Sequence, residues 1–224
     1  MKRYTLAVLV LLTASFAHSQ VAIGFFAGPQ ATTSKYLINN EEQKTEFKYG
    51  FQAGMNMKIP FENRLFFTPA IFYSMKGYKV KYTQFLFPPS VTAVDNNTSM
   101  HTVELAALLQ YDFGTGPGNF YIKVGPSLDF QLFGKESFRL MDGETVNRNI
   151  RYSYTEYGRY AANMLMQAGF ETAGGLMIFG QYSHGMGSLN NADNGPKIKH
   201  RVYGLSIGHY LNRKKIVIDT RNRE

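Results

Sequence analysis

Residues 47–59 read Phe-Lys-Tyr-Gly-Phe-Gln-Ala-Gly-Met-Asn-Met-Lys-Ile, with every odd position apolar and every even position Lys, Gln, Asn or Gly. A strict period of two describes a strand with one apolar and one polar face. The pattern recurs outward along the chain. Val103, Leu105, Ala107, Leu109, Tyr111 and Phe113 alternate with Thr102, Glu104, Gln110 and Asp112. Phe120, Ile122, Val124, Leu128, Phe130 and Leu132 alternate with Tyr121, Lys123, Ser127, Asp129 and Gln131. Residues 64–81 and 157–171 follow suit, 198–211 and 21–30 add two strands, and 176–186 adds one whose alternation is weaker.

Eight strands are thus predicted, and their connections differ in length. Residues 32–46, 82–99, 134–156 and 187–197 form long polar loops, whereas 60–63, 114–119 and 172–175 form short turns rich in Gly, Pro and Asn. Short turns on one side and long loops on the other are the signature of a transmembrane barrel. With the N-terminus in the periplasm, all four long loops fall outside. A soluble lipocalin-like barrel, apolar face inward, is the competing reading. It gives no reason for sorted loops, and the bulky apolar phase would overcrowd a small interior.

The ends agree with an exported protein. Met1-Lys2-Arg3 is followed by an apolar run from Leu6 to Leu12 and by Ala17 and Ser19, the small residues of a signal-peptidase site, so cleavage is expected before Gln20. The run is too short to span a bilayer as a helix. The chain has no Cys, so neither disulfides nor a lipidated cysteine are available. The expected domains are a signal peptide at 1–19, a barrel at 20–211 and a basic periplasmic tail at 212–224. The formal charge of +8 becomes +6 without Lys2 and Arg3. These charges form no stripe, which argues against nucleic acid and for attraction to anionic envelope surfaces. Pro29, Pro69 and Pro126 lie inside predicted strands, where each forfeits a ladder hydrogen bond, so bulges are expected there.

The pattern resembles a family, the PorT-like outer-membrane β-barrels of Gram-negative bacteria. The resemblance rests on Gly50-Phe-Gln-Ala-Gly54, on Phe67-Thr-Pro-Ala-Ile-Phe-Tyr-Ser-Met-Lys-Gly77, on Val103-Glu-Leu-Ala-Ala-Leu-Leu-Gln-Tyr111, on Val124-Gly-Pro126 and on Arg201-Val-Tyr-Gly-Leu-Ser-Ile-Gly208. It implies a small eight-stranded barrel and, from the founding member, an association with protein secretion. It carries no catalytic residue. The expected fold is therefore all-β: a closed, eight-stranded, antiparallel, up-and-down transmembrane barrel, acting as a monomer.

Eight strands enclose a lumen that side chains fill. The inward set is expected to hold a polar network of Lys48, Glu104, Lys123, Asp129, Arg159 and Glu171, with the three carboxylates paired to Lys123, Arg159 and Lys48 because buried charges need partners. Chemistry is sparsely signalled. Ser183 and His184 are adjacent on one strand and point to opposite faces, and no metal spacing, phosphate loop or carboxylate pair stands out, so neither catalysis nor a cofactor is expected. An envelope enzyme acting on lipid is the alternative from another class. Function is better sought in the outer loops. Phe85 and Phe87 before Pro88-Pro89 form an apolar knot, and Arg148, Arg151 and Tyr152 a basic-aromatic cluster. These residues are expected to meet outer-membrane lipid and lipopolysaccharide phosphates, or a secretion or envelope protein.

Overall fold

The computed structural model describes residues 21–84, 87–114, 116 and 118–211. The expected signal peptide, the basic tail and Phe85 lie outside the described residues. Among the described residues there are eleven strands: β1 (Ala22–Ile38), β2 (Glu41–Glu42), β3 (Lys44–Glu46), β4 (Lys48–Glu62), β5 (Leu65–Lys81), β6 (Asp95–Asp112), β7 (Asn119–Arg139), β8 (Thr145–Asn149), β9 (Tyr160–Glu171), β10 (Leu176–Gly185) and β11 (Lys197–Tyr210). Eight of them are the staves of a barrel. They pair in the order β1-β4-β5-β6-β7-β9-β10-β11, every pair antiparallel, and β11 returns to β1 with Gly24 opposite Tyr210 and Leu37 opposite Lys197. Closure leaves the staves without a free edge along the spanning region. The three short segments extend the outer end: β2 pairs with β1, β3 with β5 and β8 with β7.

The distribution of side chains is inverted relative to a soluble protein. Leu205 is 58% exposed, and Phe51, Leu105, Leu109, Ile122, Met166 and Ile207 are exposed beside it in an outward band. Lys76, Glu104, Lys123, Asp129 and Glu171 are buried inside. From Phe113 to Val103 the outward phase of β6 stays apolar or aromatic over ten residue steps. At ~3.4 Å per residue and a tilt of ~40° this rises about 26 Å, the height of a hydrocarbon band. A soluble barrel with its apolar face inward is thereby ruled out.

Pro29, Pro69 and Pro126 stand on the outward face, and the expected bulges are absent. Ladder partners are missing beside each proline, yet pairing resumes in unchanged register, as between Ala27↔Ile207 and Gln30↔Gly204. The register shifts instead at Pro60/Glu62 and at His101/Thr102. Close approach of neighbouring backbone explains the glycine before Pro126: a Cβ on Gly125 would lie 2.1 Å from the Ala107 carbonyl oxygen.

The outer loops are also more regular than their composition suggests. β1 runs on to Ile38, β6 begins at Asp95, and β7 continues to Arg139 and folds back into β8. Asp95–Ser99 pairs with Gly77–Lys81, and Asn97–Ser99 with Lys135–Ser137. These stretches are polar on their outward face because they stand above the apolar band, so they lack the contrast that marks the spanning strands.

Candidate functional site

The lumen is filled in layers. Near the inner end Lys58 sits among carboxylates, its Nζ 2.7 Å from Asp112 Oδ2 and 3.0 Å from Glu171 Oε2, with the Phe66 ring 4.3 Å below the ammonium. Above it Phe26, Phe72 and Phe179 pack at 5.4–5.6 Å between ring centres, with Leu108, Leu165 and Met177 around them. Farther out, Glu104 on β6 stands directly opposite Asp129 on β7. Like charges so placed repel. Lys76 from β5 holds them together, its Nζ donating at 2.8 Å to Glu104 Oε2 and at 2.7 and 2.8 Å to the two Asp129 oxygens, while Ser127 Oγ donates to Glu104 Oε1 at 2.5 Å. On the other wall Gln167 Nε2 donates to Gln181 Oε1, Gln181 Nε2 to Gln52 Oε1 and Gln52 Nε2 to Ser206 Oγ.

None of the predicted pairings of this network forms. Glu104 and Asp129 pair with Lys76, and Glu171 with Lys58. Lys123 is buried in the lumen with its ammonium 4.9 Å from the Tyr121 ring, and no described carboxylate lies within ion-pair distance of it. Lys48 and Arg159 leave the lumen. Lys48 passes over Gly77, where a Cβ would meet it at 2.9 Å, and donates to Asn97 Oδ1 and Ser99 Oγ at 2.6 Å each. Arg159 is exposed, donates to the Gln131 carbonyl at 3.3 Å and covers the Tyr152 ring at 5.0 Å. Both stand at the ends of their strands, where alternation no longer dictates which way a long side chain runs.

A second core closes the outer mouth. Tyr36, Tyr78 and Tyr157 are fully buried together with Ile38, Val80, Met100, Ile150, Leu189 and Ile198. Glu136 on β7 organises the polar side of this cap. It accepts from Tyr157 Oη at 2.8 Å, from Asn96 Nδ2 at 3.0 Å and from Arg148 Nε at 2.7 Å, and Arg148 Nη2 reaches Glu156 at 2.9 Å. Burial pushes the Tyr36, Tyr78 and Tyr157 phenols well above their ordinary range, and the neighbouring Tyr and Glu136 charges add to it. Burial works against the Arg148 cation, but Glu136 and Glu156 outweigh it and hold the proton more firmly than usual. No stretch of sequence announced this cap, because its tyrosines come from segments far apart in the chain, Tyr36 on β1, Tyr78 on β5 and Tyr157 in the connection before β9.

The predicted loop residues separate accordingly. Arg148 turns inward and is committed to its two carboxylates, Tyr152 is half-buried against the cap, and Arg151 is exposed. Phe87 lies at the outer tip. There Met141 donates its N–H to the Thr92 carbonyl and Ala93 bridges to Leu140, joining the two loops, on which Val91 and Met141 are exposed. As expected from alternation, Ser183 is buried in the lumen and His184 faces out.

Residues 14–191 match the profile of the outer membrane protein beta-barrel domain. No curated protein matches the chain. Among solved structures, Ail, the attachment invasion locus protein of Yersinia pestis, is 14% identical, with 84% of this chain and 97% of that one covered at a TM-score of 0.42. OprG from Pseudomonas aeruginosa is 11% identical over 88% and 98% at 0.46, and Neisserial surface protein A is 14% identical over 85% and 97% at 0.40. The profile match spans most of the chain, and the apolar band and closed sheet fit it. This protein belongs to the outer membrane protein β-barrel domain family and resides in the outer membrane.

Proposed function

We propose that this protein is a non-conducting, non-enzymatic scaffold whose outward hairpins dock another protein of the envelope. The PorT-like resemblance makes a secretion or envelope-assembly component the partner of choice. One observation carries the reading: the lumen is occupied by ion pairs and aromatic layers and capped by buried tyrosines, while the strands continue past the apolar band into a hydrogen-bonded platform. A scaffold with no open interior acts through its surface. Phe87, Val91 and Met141 on the joined outer loops offer exposed apolar side chains to a partner. Catalysis is disfavoured by the separation of Ser183 in the lumen from His184 on the outer face.

A photoreactive residue at Met141, introduced into the protein in intact cells, tests the docking. An adduct with a discrete envelope protein is expected, and it should vanish in Val91→Asp. Adducts with lipid alone would overturn docking. Conductance steps from the purified protein in a planar bilayer would overturn the closed lumen.

A further inference from the structure

The outward phase of β11 changes character within two residues. Ile207, Leu205 and Tyr203 give way to Arg201, Lys199 and Lys197, and on β1 Ala31 is followed by Thr33 and Lys35. The register places Lys35 directly opposite Lys199, Leu37 opposite Lys197 and Thr33 opposite Arg201. On the other side of β11, Arg201 faces His184 of β10. Directly opposed like charges destabilise a sheet unless an anion lies between them. Elsewhere on the outer rim Lys81 has such an anion in Glu46 and Arg139 in Asp95. Among the described residues Lys35, Lys199 and Arg201 have no ion pair, and Arg201 Nε has no hydrogen-bond partner. The carboxylates of Glu41 and Glu42 stand farther out, opposite Ile38 and Leu37.

The surroundings point to the missing anion. Immediately below the cations, Tyr203 packs between Tyr182 at 5.0 Å and Phe47 at 5.9 Å, an aromatic girdle of the kind that marks the edge of the hydrocarbon. His184 is steadied by a 2.9 Å hydrogen bond between its Nδ1 and Tyr182 Oη. A cation cluster just above a girdle, directed away from the barrel axis, lies at the height of lipid head groups. We propose that Lys35, Lys199 and Arg201 form a binding site for the phosphate groups of the outer-leaflet glycolipid, lipopolysaccharide. Arg201 presents a fork suited to phosphate oxygens and the two lysines act as point charges on either side. One acyl-anchored phosphate would separate the opposed lysines while its chains pack on Leu205 and Ile207.

The test uses the full-length protein in nanodiscs of phosphatidylcholine with a small fraction of bisphosphorylated lipid A, and native mass spectrometry of the lipids it retains. Retention of lipid A, lost with the dephosphorylated lipid, is expected. The K35Q/K199Q/R201Q protein should retain it on the order of 100-fold less well, since each cation near an anionic surface contributes severalfold. K79Q/K81Q/R139Q, which removes three basic residues elsewhere on the rim, should retain it like the parent. Lys199→Glu separates binding from folding: it creates a Lys–Glu pair with Lys35, so the barrel should be at least as resistant to urea while lipid retention falls. Undiminished retention by K35Q/K199Q/R201Q or by Lys199→Glu would overturn the site. Equal retention of the dephosphorylated lipid, or full displacement by inorganic pyrophosphate, would overturn its assignment to a membrane-anchored phosphate.

Discussion

Replacing Lys76 with Ala tests the lumen most directly. Its ammonium makes three contacts of 2.7–2.8 Å to Glu104 and Asp129, and the side chain is 1% exposed. Hydrogen bonds to charged groups contribute roughly 1.5–3 kcal/mol each, but they are not independent here. Breaking a buried charge cluster by removing one partner costs about 3–5 kcal/mol, because the remaining charges stay buried without compensation. Two carboxylates placed directly opposite each other would be left, so the upper part of this range is expected. Lys76→Met/Glu104→Gln/Asp129→Asn removes all three charges while keeping similar volumes, and it should lie within about 2 kcal/mol of the parent. The chain contains no Trp, so unfolding by urea from bilayers is followed by circular dichroism and by the shift of the folded barrel on a gel. A Lys76→Ala protein within about 0.5 kcal/mol of the parent, or a triple variant weaker than Lys76→Ala, would refute the argument.

Gly125→Val should prevent the barrel from closing, since its Cβ would lie 2.1 Å from the Ala107 carbonyl oxygen, whereas Gly174→Ala, with nothing within 4 Å, should assemble normally; folding yield on the gel compares them. Glu136→Ala leaves Tyr157 without its acceptor, Asn96 Nδ2 with only the long 3.5 Å bond to Tyr157 Oη, and Arg148 with Glu156 alone; the expected local cost is about 2–4 kcal/mol, read as faster trypsin cleavage after Arg148 and Arg151 with the gel shift of the barrel retained. The cap should also respond to alkali. The phenols of Tyr36, Tyr78 and Tyr157 have raised folded-state values, so their stabilising contribution is complete below the unfolded value of about 10 and is lost as pH rises above it. Near-ultraviolet absorbance should therefore show late phenol ionisation coinciding with protease sensitivity of residues 145–159; phenols that ionise in one step near 10 with the cap intact would contradict this.

The alternation in residues 47–59 and its repeats was enough to assign strands, to direct Phe51 and Met55 outward and Gln52 and Asn56 inward, and to place the protein in a membrane. A pleated strand sends neighbouring side chains to opposite faces, so local sequence alone carries that information. Sorting of the turns by length gives the expected orientation from equally local information. Pairing inside the lumen was not legible. Lys76 and Asp129 belong to strands separated by a third, and only the register of β5 on β6 and of β6 on β7 brings them together. The cap likewise unites Tyr36, Tyr78 and Tyr157 across distant segments, and it turns Arg148 inward although its composition suggested an outward cluster. The Lys35–Lys199 juxtaposition depends on the closure of β1 against β11, the two ends of the barrel. Within the membrane-spanning stretches the backbone's period of two assigns each residue its face, whereas partners across the barrel, and the direction of long side chains at the strand ends, follow from register and closure, which only the assembled sheet determines.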